Sequence, residues 1–229
     1  MTGLREALKQ KLAQREFVVG ICATYNSTDL VAALAKRFAF IFIDCENAGP
    51  DVGMLPDMVR AAHAGGAIAL VRPWSKEQGV LRRYLGCGID GFILPDVESA
   101  DEVAFVRRLM RDTRPADHAS MVLFTIIETV KGVERAAEIM QADVDAIQVG
   151  NSDLAVSMGL PRRGDHEEVR QIALRIIGEA KALGKSAGTP VNTYGMKPVV
   201  DAGGNCIMLF MPDVLKAGID ASLTDWPVR

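Results

Sequence analysis

Glu128 and Asp153 are the residues whose types and spacing could do chemistry. Each stands where a short apolar run ends. Met121-Val122-Leu123-Phe124-Thr125-Ile126-Ile127 leads into Glu128-Thr129, and Val144-Asp145-Ala146-Ile147-Gln148-Val149 leads into Gly150-Asn151-Ser152-Asp153. Between them Lys131 to Ala142 carries apolar residues at helical spacing. Two carboxylates at the same end of neighbouring parallel strands can meet in space, and their hard oxygens suit Mg²⁺ or Mn²⁺ with positions left for water. The plainer alternative is that both are helix N-caps, a frequent use of acidic residues at strand ends.

The elements that must position such a pair follow from the hydrophobic pattern. Strands are predicted at Phe17 to Ala23, Ala39 to Ile43, Ala67 to Val71, Gly91 to Leu94, Met121 to Ile127, Val144 to Val149, Ser186 to Thr189 and Asn205 to Phe210. Helical patterns follow them: Thr28 to Arg37 with Ser27 as a cap, Asp51 to His63, Lys76 to Leu85, Ala100 to Arg111, Lys131 to Ala142, Glu167 to Leu183, Tyr194 to Asp201, and a last helix from Asp213. The strands are continuous apolar runs, as in parallel sheets covered on both faces. Eight such units in this length favour one closed (β/α)₈ barrel over residues 1–229 rather than an open doubly wound sheet. No GxGxxG follows the first strand and no P-loop occurs, which weakens a nucleotide-binding alternative.

Composition narrows the function classes. The 229 residues are 49% hydrophobic and 24% charged, and the net charge of −3 provides no broad basic field for nucleic acid. No apolar run approaches the roughly 18 residues of a membrane span, and the charged amphipathic pattern of Met1 to Lys11 lacks the apolar stretch of a signal peptide. Cys22, Cys45, Cys87 and Cys206 are scattered without CxxC spacing, which fits reduced thiols in a cytoplasmic protein.

In a barrel, chemistry collects at the C-terminal ends of the strands. Those ends carry Asp44-Cys45-Glu46-Asn47, Arg72-Pro73, Pro95-Asp96, Glu128, Gly150-Asn151-Ser152-Asp153 and Gly188-Thr189-Pro190. A Schiff-base lysine is absent from the set, which argues against lysine-dependent aldolases. Arg72 would point into the mouth, where a guanidinium binds a keto oxygen or carboxylate and stabilises developing negative charge. A structural salt bridge to Asp44 or Glu46 explains it equally well. Asn151-Ser152-Asp153 opens a helical turn whose free N–H groups could hold an anion, or could simply be a capped turn.

Together these stretches resemble the metal-dependent pyruvate aldolases of the 2,4-dihydroxyhept-2-ene-1,7-dioate aldolase family. The similarity runs through Gly20-Ile21, Phe40 to Ala48, Val71-Arg72-Pro73, Gly91 to Pro95, Ile127-Glu128-Thr129 and Gly150 to Ala155, in family order. The resemblance implies a (β/α)₈ barrel assembled as a hexamer through exchange of the terminal helix. It implies a divalent metal, Mg²⁺ or Mn²⁺, on Glu128 and Asp153, chelated by the keto and carboxylate oxygens of a 2-keto acid. Backbone N–H groups in the Gly150–Asp153 turn, near Ser152 and Asp153, would hold the carboxylate. Arg72 would stabilise the enolate, with Asp44, Glu46 and Asn47 beside it.

The chain departs from the family pattern at several points. Asn47 stands where the family usually has a histidine for proton transfer, and asparagine cannot take a proton at neutral pH. Ile126 replaces a glutamine, and Cys22 a tryptophan. The family's long loop before the fifth strand is reduced here to Arg111 to Ser120, so a more open mouth is expected. His63, His118 and His166 read as surface residues, with His118 the one candidate to reach the mouth.

The resulting expectation is a carbon–carbon lyase acting on a pyruvate-like or oxaloacetate-like 2-keto acid. One alternative is a citrate-forming transferase of siderophore biosynthesis that takes acetyl-coenzyme A on the same scaffold. The other is a ligand-binding barrel without turnover, against which the retention of Glu128, Arg72 and Asp153 argues.

Overall fold

The computed structural model describes residues 2–191 and 195–224. Eight parallel strands form the sheet: β1 Val18–Ala23, β2 Phe40–Asp44, β3 Ile68–Arg72, β4 Gly91–Leu94, β5 Val122–Ile127, β6 Ala146–Val149, β7 Ser186–Gly188 and β8 Cys206–Phe210. Their spatial order is β7-β6-β5-β4-β3-β2-β1-β8. Pairing of β1 with β8, from Val18↔Cys206 to Cys22↔Phe210, brings the two ends of the chain together. The seam between β7 and β8 is joined by the Pro190↔Met208 bridge and by the Asn205 N–H donating to Ala187 O at 2.9 Å. The sheet is thereby a nearly closed (β/α)₈ barrel, as the eight apolar runs predict.

Eleven α-helices are described: α1 Thr2–Ala13, α2 Thr28–Ala35, α3 Leu55–Ala64, α4 Gln78–Gly86, α5 Ala100–Thr113, α6 Val130–Glu134, α7 Ala136–Gln141, α8 Asn151–Ser157, α9 Glu167–Ala182, α10 Met196–Asp201 and α11 Met211–Ser222. Ser27 caps α2 as expected, its side chain accepting from Leu30 N–H. The continuous helix expected over Lys131 to Ala142 is instead two short helices, interrupted at Arg135 (φ −106°, ψ 14°). Of the helix expected from Tyr194, the described part is α10, and Tyr194 itself lies outside the described residues.

Burial is organised in two layers. Side chains pointing outward from the strands pack with the helices, as Ile41, Val71, Leu123 and Ile147 do with Val59, Leu81, Val106 and Ile176. Side chains pointing inward fill the barrel: Phe40, Phe42, Ile68, Leu70, Ile93, Phe124, Ile126 and Met208. Phe40 meets Phe124 edge-on with ring centroids 5.3 Å apart. A Cβ on residue 20 would stand 2.2 Å from the Phe40 ring, so Gly20 is what lets that ring cross the interior. Leu8 and Leu12 of α1 join the same inner cluster and close the N-terminal end of the barrel.

Of the connection expected over Arg111 to Ser120, Arg111 to Thr113 are the last residues of α5, and the rest also lies at that closed end. An αβ connection leads into the start of a strand, and here Asp117 is held by Arg5 of α1 while Lys9 reaches Ala119 O. The segment therefore does not border this chain's mouth, and the openness expected from its shortness does not follow. His118 sits in the same connection, hydrogen-bonded to Pro115 O, so it cannot serve the mouth either.

Candidate active site

A cavity of about 750 Å³ opens at the C-terminal ends of the strands. It is lined by Asp44, Asn47, Arg72, Glu128, Gly150, Ser152 and Asp153, so seven of the eight residues singled out in the sequence converge there. The eighth, Glu46, does not line the cavity but lies 3.1 Å from Arg72 Nε.

Arg72 stands where either reading of the sequence would put it. It is a buried salt-bridge partner, with Nε donating to Asp44 Oδ1 at 2.8 Å and Nη2 to Asp44 Oδ2 at 2.6 Å. It also lines the cavity, with its guanidinium carbon 5.3 Å from the Phe42 ring centroid. Burial alone would lower its pKa, but hydrogen bonds and attraction from Asp44, reinforced by Glu46 and Glu128, outweigh that and raise it. Asp44 also accepts the N–H groups of Glu46 and Asn47, which folds the β2 end into a tight turn. Burial pushes the Glu46 carboxyl up from its ordinary value, against the pull of Arg72. The Asn47 amide donates to Glu46 Oε2 at 3.2 Å.

Glu128 is 3% exposed, so the carboxylate is nearly out of water. It is not a helix cap: Thr129 caps α6, and Gly150 is the N-cap residue of α8, with Asp153 inside its first turn. Glu128 Oε1 accepts the Asp96 N–H at 2.9 Å. Asp96 presents that N–H from a left-handed backbone (φ 49°), an uncommon conformation for a side-chain-bearing residue. On the other side, a Cβ at position 150 would come within 2.1 Å of Glu128 Oε2, so only glycine lets β6 pass this close. Burial raises the Glu128 pKa to about 8; the Asp96 N–H and Arg72 oppose the rise, and the charges of Asp96 and Asp153 add to it.

These residues fit a divalent cation. The donors are hard carboxylate oxygens, and Glu128 is a buried acid that needs either a proton or a cation beside it. Among the described residues no cluster of three or more histidine, cysteine, aspartate or glutamate side chains is placed to enclose an ion. Two protein ligands with the remaining positions open is the usual arrangement for Mg²⁺, which keeps water and substrate oxygens in its shell.

Several further residues line the cavity, of which the sequence had marked Pro190 as a strand end and Ile126 as a replaced glutamine, and had given Met208, Phe210, Pro212 and Arg162 no role. Phe42, Ile126, Met208, Phe210, Pro190 and Pro212 give the cavity an apolar wall. Arg162, in the segment after α8, places Nη2 2.8 Å from Asp153 Oδ1. Gln148 lies next to Ile126 in register on the neighbouring strand, and its buried Nε2 donates to Cys206 O. A buried amide is thus present one strand over from the position where the family resemblance leads one to look for glutamine.

A parallel barrel with carboxylates and an arginine gathered at its C-terminal mouth has the layout of a barrel enzyme, and the family match makes its class that of the aldolases and lyases. Residues 28–193 match the family described as HpcH/HpaI aldolase/citrate lyase, and the chain belongs to that family. It is 26% identical to a hydroxypyruvate/pyruvate aldolase of Paraburkholderia phytofirmans, over 91% of this chain and 92% of that one. The fold matches an HpcH/HpaI aldolase/citrate lyase family protein from Burkholderia cenocepacia with a TM-score of 0.86, at 23% identity over 96% and 98% of the two chains. It also matches the CitE protein of Mycobacterium tuberculosis, whose crystal contains magnesium and acetate, with a TM-score of 0.60 at 18% identity over 89% and 91% of the chains. The chain is thus a carbon–carbon lyase. Among the described residues, no helix is long and apolar enough to cross a membrane.

Proposed function

We propose that this barrel cleaves or forms a carbon–carbon bond next to a pyruvate- or oxaloacetate-like 2-keto acid, through an enolate held in the mouth. The observation that carries the reading is Glu128: a carboxylate 3% exposed, clamped between the Asp96 N–H and Gly150, in one cavity with Asp153 and Arg72. Glu128 and Asp153 would hold Mg²⁺ or Mn²⁺, which when bound supplies Lewis acidity to the keto acid's oxygens. Arg72 is immobilised by Asp44 and by Phe42, with Nε and Nη2 engaged by the Asp44 carboxylate. Nη1 is then the donor available to an oxygen that gains negative charge. Gly150, Ser152 and Asp153 form the turn against which the substrate carboxylate would lie. Asn47 orients a water or hydroxyl but holds no proton to give, so this site is better suited to releasing an enolate than to deprotonating an alcohol.

The assembly belongs to the same reading. In α11 only Met211 is buried, while Val214, Leu215 and Ile219 are exposed along it and Leu223 at its C-cap. An apolar helix of that kind needs a cover, and exchange with a second copy would supply one. The chain would act as one barrel domain in a homo-oligomer. The four free cysteines suit a reducing cytoplasm.

The test compares oxaloacetate alone, pyruvate with aldehydes, and oxaloacetate with acetyl-coenzyme A, each with Mg²⁺ or Mn²⁺. Decarboxylation of oxaloacetate reaches the enolate without a base, so it should exceed the rate with the ion alone and fall with Arg72→Lys. No protein-dependent rate in the first two arms would sink the proposal, and thiol release without aldol product would transfer the site to acyl chemistry.

A further inference from the structure

We propose that Arg162 reads the charge of the second substrate, taking a carboxylate on the aldehyde partner once Asp153 has turned to the divalent ion. The inference rests on the aldolase reading above. Arg162 lines the same cavity as Glu128, Asp153 and Arg72. Exposure orders the three outer groups by depth: Glu128 is 3% exposed, the Asp153 side chain 31% and the Arg162 side chain 58%. Arg162 therefore comes to Asp153 from the rim, above the place where Glu128 and Asp153 would share an ion.

The Arg162–Asp153 pair is half in water, where ion pairs hold weakly. A divalent ion is the stronger partner for that carboxylate and cancels the charge that draws Arg162 inward. The guanidinium is then a cation at the rim with its planar fork available, and that fork matches a carboxylate edge to edge. Arg72, the other basic residue lining the cavity, cannot take this part: its Nε and Nη2 are engaged by Asp44 below the rim. On the β7–β8 side the described lining is Pro190, Phe210 and Pro212, an apolar wall that leaves Arg162 as the charged group of the rim there.

Two aldehydes of equal length separate charge from size: glyoxylate ends in a carboxylate and glycolaldehyde in a hydroxymethyl group. With Mn²⁺ and pyruvate, Arg162→Ala should raise KM for glyoxylate about tenfold while kcat and the glycolaldehyde kinetics stay within about threefold. Calorimetric titration of the metal-free protein with Mn²⁺ should show binding tightened about threefold in the same variant, because a competing cation has left Asp153. Arg162→Lys should recover part of both effects. Equal losses with both aldehydes, or weaker Mn²⁺ binding, would overturn the assignment and leave Arg162 as a prop for Asp153. A wild-type protein that uses neither aldehyde and does not decarboxylate oxaloacetate would overturn the aldolase reading itself, an outcome distinct from turnover without charge preference.

Discussion

Two buried arginines occupy opposite ends of the barrel, and they do opposite things. Arg5, on α1 at the N-terminal end, is 3% exposed and lies between Asp90 and Asp117, at 3.5 and 2.9 Å. His63 holds Asp90 and Arg114 holds Asp117, so acids and bases are matched there. Arg72, at the C-terminal end, is 8% exposed and is held by Asp44 and Glu46. Around it four carboxylates (Asp44, Glu46, Glu128 and Asp153) face two guanidiniums, Arg72 and Arg162. The closed end is neutralised by its own side chains. The open end has more acid than its own bases can pair, an excess that a proton or a cation would satisfy. Burial and ion pairing alone do not distinguish a plug from a site; the charge left over does.

The comparison breaks first at the excess carboxylates. Glu128→Gln or Asp153→Asn should lower turnover about a thousandfold, near 4 kcal/mol, and weaken Mn²⁺ binding strongly, because neutral amides do not supply the charge a hard cation needs. Unchanged metal titration in both variants would place the site elsewhere. Arg5→Met should do the reverse. Removing one partner of a buried pair costs about 3–5 kcal/mol, read as a lower urea midpoint, while kcat per folded molecule stays close to wild type. A loss of activity without a loss of stability at Arg5 would erase the distinction between the two ends.

Smaller effects sharpen it. Arg72→Lys keeps the charge but loses the planar fork, and the loss of one preorganised donor typically costs about 3 kcal/mol, roughly a hundredfold in rate. Asn47→Ala should cost about tenfold, near 1.4 kcal/mol, and Asn47→His should raise decarboxylase or aldolase activity by restoring a group that moves protons near neutral pH. Steady-state kinetics that show Arg72→Lys nearly silent and Asn47→Ala dead would reverse these roles. At the closed end, burial alone would lift the Asp117 carboxyl, but hydrogen bonds and charge from Arg114 and Arg5 outweigh it and hold it below its ordinary value. A depressed pKa stabilises the fold above the ordinary carboxylate value and is lost as pH falls through the folded one. Urea midpoints of the wild type should therefore drop more steeply below about pH 4 than those of Asp117→Asn; parallel curves would show that Asp117 is not the group responsible.

Much of the mouth was legible because a strand end is a local event. The run Phe40-Ile41-Phe42-Ile43 dictates where Asp44 falls, and Gly91–Leu94 was expected and found with the same bounds. Seven expected site residues share one cavity for that reason. Arg162 was missed because it sits in a segment with no periodic pattern, and its approach to Asp153 exists only once α8 has turned the chain back. The apolar wall was missed for another reason: Phe42 and Met208 look like any core residue until the barrel shows that they cap its interior below the cavity. Arg111 to Ser120 was misplaced because its distance from Glu128 along the chain says nothing about which end of the barrel it occupies. The mutual positions of Glu128 and Gly150 were half visible: the glycine was noted, but its reason, the Glu128 carboxylate where a Cβ would be, is a contact across strands.

The thin seam between β7 and β8 bears on how the chain is made. β1 leaves the ribosome before its partner β8, with the other six strands made between them. Until β8 arrives, β1 and β7 are bare sheet edges on a nascent chain, and such edges pair readily with other molecules. Closure joins Val18 to Cys206 across all the intervening strands, which makes it entropically late and slow. A ribosome stalled or a message truncated before Cys206 would thus release not a smaller barrel but an open sheet with two sticky sides, a natural client for chaperones and proteases.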